Sequence, residues 1–115
     1  MSHYADYIKE RLGKLCFECE DGFAVYFYTT LQGSGECVYI EEIYVAPHAR
    51  RKGVAAWMAN QIAEEAQGRG VRTMVGSVNP QARGATASLT VLLGYGMTLH
   101  SVDNGLIYFS KSLED

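Results

Sequence analysis

One stretch of this sequence concentrates the residues that could do chemistry. Tyr39-Ile40-Glu41-Glu42-Ile43-Tyr44-Val45 is an apolar run broken by two acids, and Ala46-Pro47 leads from it into His48-Ala49-Arg50-Arg51-Lys52-Gly53-Val54-Ala55. The first part has the residue types of a strand and the last part opens a helical pattern, so a strand runs through a tight basic turn into a helix. The first amides of a helix have no intrahelical partners, and the helix dipole makes that end electropositive. Gly53 permits close backbone approach by a ligand, Ala55 adds almost no bulk, and Arg50, Arg51 and Lys52 bring positive charge to the same spot. These are the features of a cradle for a pyrophosphate-like anion. The spacing is neither G-x-x-x-x-G-K-[ST] nor G-x-G-x-x-G, which sets it apart from the Walker and dinucleotide-binding loops.

Glu41 and Glu42 are the second candidate site. Alternation along a strand sends them to opposite faces of the sheet, with at least one toward the cleft beside the turn. The plainer alternative is that one faces solvent while the other pairs with a surface Lys or Arg. The cysteines offer less. Cys16-Phe17-Glu18-Cys19 has C-x-x-C spacing, but the segment alternates like a strand instead of opening a helix, which is where a redox pair gains its low thiol pKa. Zinc would need further ligands from His3, His48, His100 or Cys37, at no recognisable spacing, so no metal site is expected. In a chain that reads as cytoplasmic, an odd count of three cysteines points to free thiols.

Composition agrees with that picture. The chain has 115 residues, 48% apolar and 20% charged, which suits one domain, residues 1–115, around one core and excludes disorder. No apolar run is long enough to span a bilayer, and the first residues do not resemble a secretion signal. The net charge is −3, yet it is partitioned: residues 1–49 carry −5, residues 50–83 carry +4 and residues 84–115 carry −2. A basic block inside an acidic chain favours a local anionic ligand beside a surface that attracts cations. The basic residues cluster at one turn without a stripe of interleaved aromatics, so neither a nucleic-acid partner nor a membrane is expected.

The elements that must position these residues follow from periodicity. Residues 3–13 form a short amphipathic helix with Tyr4, Tyr7, Ile8 and Leu12 on one face. Residues 14–20 and 23–31 are strands joined by an Asp21-Gly22 turn, and Gln32-Gly33-Ser34-Gly35 turns into a third strand over 36–45. Val54, Met58, Ile62 and Ala66 recur every four residues, with Ala55, Ala59 and Ala63 beside them, marking a helix stopped by Gly68 and Gly70. Residues 71–78 are a strand. Residues 85–93 are a helix with Leu89, Leu92 and Leu93 inward and Gly94 at C′. Residues 97–102 and 106–110 close the chain as a hairpin around Asp103-Asn104-Gly105. The order α-β-β-β-α-β-α-β-β is that of an α/β (α+β) domain with a mixed sheet.

Val45-Ala46-Pro47-His48-Ala49-Arg50-Arg51-Lys52-Gly53-Val54-Ala55 resembles the V-x-P-x-x-R-x-x-G-x-[GA] signature of the GNAT superfamily of acyl-CoA-dependent N-acetyltransferases. The element order after the signature, ending in Leu93-Gly94-Tyr95, is similar to that family's order as well. The resemblance implies a GNAT-like mixed sheet and acetyl-CoA as co-substrate. It implies that Ile43 and Val45 line the pantetheine arm while Arg50, Arg51, Lys52, Gly53, Val54 and Ala55 cradle the phosphates. Arg83 falls near the family's Asn and Asn79 lies four residues earlier; either would reach the cofactor. The run around Glu41 also resembles those of diamine and aminoglycoside 6′-N-acetyltransferases. That implies Glu41 as base or amine-positioning group, Glu42 as a second anionic contact, and a small polycationic amine or a protein amine as acceptor.

Two departures from the family pattern shape the remaining expectations. Thr90 stands where many members have a tyrosine general acid, and Tyr95, at the family's Phe position, reads as a packing residue. The family's usual first strand and first helix have no counterpart before residue 14, so a second subunit is expected to close the acceptor pocket, giving a homodimer with Trp57 a candidate for its interface. The expected activity is direct acetyl transfer to a primary amine in a ternary complex, with the Val45 amide stabilising the developing oxyanion. The alternative is a non-catalytic acyl-CoA-binding or protein-interaction module on the same fold.

Overall fold

A computed structural model describes residues 3–31, 33, 35–83 and 85–114. The elements run α1 (His3–Leu12), β1 (Leu15–Cys19), β2 (Gly22–Leu31), β3 (Gly35–Val45), a short 3-10 turn (Pro47–Ala49), α2 (Val54–Gly68), β4 (Thr73–Val78), α3 (Ala85–Gly94), β5 (Thr98–Asp103) and β6 (Leu106–Ser112). One six-stranded sheet has the order β1-β2-β3-β4-β6-β5, antiparallel except for the β3–β4 pair, which is parallel. A parallel pair needs a crossover, and α2 supplies it. Among the described residues no helix is long and apolar enough to cross a membrane.

The core lies between the sheet and α2. Ala24, Tyr26, Val38, Ile40, Met74 and Val78 meet Met58, Ala59, Ile62, Ala63 and Ala66, and Leu89 and Leu92 of α3 pack on the same cluster. The alanines at every third or fourth position let α2 lie close to the strands, while Met58 and Ile62 fill the space between; each large apolar side chain buried this way contributes about 1.5–3 kcal/mol. At the far end of α2, Tyr26 Oη donates to Glu65 Oε2 at 2.5 Å and Tyr28 Oη donates to the same oxygen at 3.2 Å. The Arg69 guanidinium lies 3.8 Å from the centre of the Tyr28 ring. Burial, followed by the Glu65 carboxylate, pushes the Tyr26 hydroxyl well above its ordinary pKa.

Both crossover helices stop in the same way. Gly70 and Gly96 are left-handed, with φ of 82° and 96°. Val71 N–H donates to Ala66 O and Met97 N–H to Leu92 O, the six-to-one bond of a Schellman cap, with buried Val71 and Met97 making the apolar contact. Gly94 is therefore not the C′ residue: α3 continues through it, and the left-handed turn falls at Gly96. The face expected on α1 is also only partly covered, since Tyr7 and Leu12 are exposed; the helix packs mainly on edge strand β1. The side chains of Tyr4 and Ile8 lie outside the described ones, as do residues Gln32 and Ser34 of the second turn. Leu93 of α3 is exposed where an inward position was expected.

Two details of register shape the exposed end of β3. Parallel pairing of β3 with β4 covers only Val38↔Met74, Tyr39↔Val75 and Ile40↔Gly76. Beyond it, residues 41–45 and 77–78 run on without pairing to each other, and the sheet forks. On the other side of β3, Tyr26 pairs with Ile40 and Val25 with Glu42, so Glu41 is an unpaired bulge residue. A bulge bends and twists its strand, and here it sits where β3 leaves β4.

Gly22 holds the end of this bent strand. It opens β2 and does not belong to the turn: it pairs with both Cys19 and Val45, and the hairpin loop is Glu20-Asp21. A Cβ at position 22 would lie 2.0 Å from the Tyr44 carbonyl oxygen. Gly22→Ala is expected to cost about 1–3 kcal/mol by forcing backbone apart, seen as a lower urea midpoint with an unchanged m-value; an unaltered midpoint would mean that the β2–β3 spacing relaxes freely.

Candidate functional site

The site is the mouth of the fork. In a continuous sheet, the main-chain groups of residues 41–45 that face β4 would be spent on ladder hydrogen bonds. Here β4 has diverged, so those other than Val45 O, which Arg50 holds, are available to an extended ligand lying in the fork. Ile43 and Val45 turn their side chains into the α2 core and offer the fork their backbone. Gly76 sits at the branch point, where an added Cβ would press Leu92 Cδ2 at 3.2 Å.

The fork opens onto the start of α2. Gly53, the N-cap, is left-handed at φ 78° and provides no side-chain cap. The first bond of the helix is Trp57 N–H to Gly53 O at 2.9 Å, which leaves the amides of Val54, Ala55 and Ala56 outside the helical ladder. Arg51 also has positive φ, 66°, an uncommon conformation for a side-chain-bearing residue. Arg51 and Lys52 are exposed. Arg50 braces the turn against the strand end, its Nε donating to Val45 O at 2.9 Å. Asp21 braces it too, accepting Ala46 N–H at its main-chain oxygen at 2.7 Å and lying 3.2 Å from His48 Nε2 through its carboxylate. Asn79 follows the end of β4 and is exposed, its Oδ1 accepting Gln81 N–H at 3.0 Å; Arg83 is exposed farther along the same loop. The candidate anion-binding residues thus gather at one end of the sheet.

The two glutamates do not take opposite faces. Ile40 and Ile43 both pack into the α2-side core, and the bulge places Glu41 and Glu42 between them on the other face. The cause is the unpaired residue, which shifts the alternation by one. Lys14 Nζ donates to both oxygens of Glu41, at 2.6 and 2.7 Å, and lies 5.6 Å from the centre of the Phe27 ring. Glu42 is exposed and electrostatically coupled to Cys16.

Sequence reasoning missed the aromatic part of this face. Phe27 stacks on Tyr39 with centroids 5.0 Å apart, and Tyr39 meets the Tyr108 edge at 6.2 Å. Tyr39 Oη and Ser77 Oγ share a 2.5 Å hydrogen bond across the base of the fork. Burial raises the Tyr39 hydroxyl above its ordinary pKa, outweighing the Ser77 bond that lowers it, so Tyr39 keeps its proton at neutral pH. No local pattern marks Tyr39, whose partnership with Ser77 is legible only once β3 and β4 are known to be neighbours. Thr90 lies in α3 with its side chain outside the described ones. Tyr95 is a packing residue: its hydroxyl donates to Asn60 Oδ1 at 2.6 Å and its ring carries Lys111 Nζ at 3.9 Å. A separate recess of about 350 Å³ beside Tyr95, Asn60 and Glu64 lies at the opposite end of β4 from the fork. Trp57 is half exposed and edge-on to Phe17 at 5.6 Å. Among the described residues no group of His, Cys, Asp and Glu is placed to hold a metal ion.

Comparisons with known proteins bear on the family and the fold. A family model described as "Acetyltransferase (GNAT) family" matches residues 4–89. The fold is similar to that of a GNAT-family protein from Desulfovibrio desulfuricans, at 15% identity over 95% of this chain and 78% of that one, with a TM-score of 0.75. It is similar to the IAA acetyltransferase of Bacillus cereus, at 17% identity over 95% and 82% of the two chains, with a TM-score of 0.67. An acetyltransferase from Bacillus subtilis, solved in complex with CoA, matches at 17% identity over 93% and 82%, with a TM-score of 0.66. At these identities the likeness is one of fold.

Cys16 gives a chemical readout of the acidic face. Cys16 and Cys19 lie three apart in one strand and fall on opposite sides of the sheet, Cys19 against the α2 core, so they form no joint site. Burial, followed by the charge of and hydrogen bond to Glu18 and the charge of Glu42, pushes the Cys16 thiol up to about 11 from 9.0. That cuts its thiolate fraction at pH 8 about a hundredfold relative to an ordinary thiol. Alkylation of Cys16 by iodoacetamide is expected to be correspondingly slow at pH 8 and to accelerate as pH rises toward 11, as followed by peptide mass spectrometry. Reaction at the rate of a free cysteine peptide would refute this environment.

Proposed function

The chain belongs to the acetyltransferase (GNAT) family, and from that premise we propose that it transfers an acetyl group from acetyl-CoA to a primary amine, by direct attack in a ternary complex. The acceptor is a small polycationic amine or a protein amine. The main support is the fork: strands β3 and β4 part after Ile40 and Gly76, and the opening leads onto an uncapped helix start beside Arg50, Arg51 and Lys52.

The residues present fit acetyl-CoA. The free edge of β3 over residues 41–45 suits the amide groups of a pantetheine arm, with Ile43 and Val45 contributing backbone. The amides of Val54 and Ala55, the open backbone at Gly53 and the charges of Arg51 and Lys52 suit a pyrophosphate. Arg50 serves mainly by holding the turn on Val45, and Asn79 stands across the opening. Bound acetyl-CoA supplies the acetyl thioester; the protein supplies orientation and proton management.

Glu41 is the candidate base. An ammonium is not a nucleophile, and a carboxylate at the mouth of the fork removes the proton that blocks attack, directly or through water. Glu42, on the same face, is a second anionic contact for a polycation. The Val45 amide is the candidate oxyanion donor. Tyr39, protonated and hydrogen-bonded to Ser77 at the base of the fork, is the candidate source of the proton taken by the departing thiolate. The protein acts as a homodimer: β5 lies at the sheet edge with Leu99 and Val102 about two-thirds exposed, which suits burial by a second copy. Its three free thiols suit the reducing cytoplasm.

Calorimetry with CoA tests the cradle: Arg51→Ala/Lys52→Ala is expected to weaken binding about tenfold and to flatten its salt dependence. Unchanged affinity would move the pyrophosphate away from the Gly53 turn. For the chemistry, thiol release from acetyl-CoA is to be followed with polyamines, aminoglycosides and N-terminal peptides. Glu41→Gln is expected to lower kcat about a hundredfold or more while leaving CoA affinity unchanged. Full activity in that variant would remove Glu41 from the reaction, and absence of turnover with every amine in protein that binds CoA would favour a non-catalytic module.

A further inference from the structure

We propose that Lys14 is a built-in occupant of the acceptor-ammonium position, which an incoming aliphatic amine must displace. The inference rests on the reading of Glu41 as the acceptor-side carboxylate and adds a residue that sets acceptor affinity. Lys14 directly precedes β1, whose first pair is Leu15↔Tyr26. Its side chain reaches past β2 to a carboxylate on β3 and, on the way, brings its ammonium within 5.6 Å of the centre of the Phe27 ring. There a single ammonium engages both oxygens of Glu41, at 2.6 and 2.7 Å.

Three features set this pair apart from an incidental surface ion pair. Glu41 is the bulge residue, the one position of β3 with no partner on β2, and it lies directly beyond Ile40, where β3 leaves β4. Phe27, beneath the ammonium, is stacked on Tyr39, whose hydroxyl bonds to Ser77 across the fork, so the cation site is joined to the fork by contact. A carboxylate and an aromatic face that meet at one ammonium are also the environment that recognises an alkylammonium in general. Lys14 is thus an internal alkylammonium on the carboxylate that must accept a proton from the substrate. With a like charge already bonded to both oxygens, Glu41 attracts an acceptor ammonium fully once Lys14 swings out. The exchange is feasible because the Lys14 and Glu41 side chains are 27% and 41% exposed, and such pairs are weak enough to open readily.

The test uses spermidine, an aliphatic triamine, with the full chain and calorimetry at low salt. Removing a competing ion pair of this exposure is expected to tighten spermidine binding about two- to fivefold in Lys14→Met. Lys14→Arg, which keeps the cation, is expected to bind as the unaltered protein does, and Lys14→Met/Glu41→Gln is expected to lose the gain. In thiol-release assays, Lys14→Met is expected to lower KM for spermidine without raising kcat. Equal or weaker binding by Lys14→Met would overturn the proposal and make Lys14 a positioning residue for Glu41; absence of spermidine binding in every form would overturn it as well. The expected binding pattern without turnover in any form would sink the acetyltransferase reading and leave the displaceable lysine standing.

Discussion

The parallel ladder between β3 and β4 is short, and the organisation of the molecule depends on where it ends. Below Ile40 and Gly76 the two strands are held by backbone pairing and by the Met58–Ile62 side of α2. Above them the strands share no backbone pairing. Unpaired backbone groups are costly when buried and tolerable when something polar can meet them, so such an opening is stable only where solvent or a ligand has access. The fork is therefore an opening made by withholding secondary structure.

The bulge at Glu41 couples the two sides of the fork. By inserting one residue it bends β3 away from β4 and also changes which residues face the core. Without it, Glu41 and Glu42 would straddle the sheet and one carboxylate would be forced toward Met58 and Ile62, where an unpaired charge is expensive. With it, both acids share the face that carries Phe27, Tyr39 and Tyr108. At the other end of the strand, Arg50 and Asp21 tie the turn to the strand and hairpin, so the cationic cradle and the acidic face are fixed relative to each other through a few bonds at Val45 and Ala46.

Much of this is legible in the residues alone. The strand-turn-helix from Tyr39 to Ala55, the α2 face and the closing hairpin all rest on spacing along a few consecutive residues, and each appears within a residue or two of its expected bounds. Misreadings arise where a position depends on a partner distant in sequence. Gly22 resembles a turn glycine but opens a strand, because its neighbour is the Tyr44 carbonyl. Gly94 resembles a helix stop, yet the left-handed residue is Gly96, where Met97 finds its place under Leu92. Tyr7, Leu12 and Leu93 have the spacing of buried positions and are exposed, since periodicity says which residues share a face and not what covers it.

By itself the sequence determined the element order, the basic turn and the family, because helix and strand periods, turn chemistry and an uncapped cationic helix start are properties of neighbouring residues. Tertiary structure alone decided the shared face of Glu41 and Glu42, the pairing of Lys14 with Glu41, and the meeting of Tyr39 with Ser77. Those depend on register between strands far apart in the chain. A one-residue bulge, invisible in composition or alternation, reverses the face of everything beyond it.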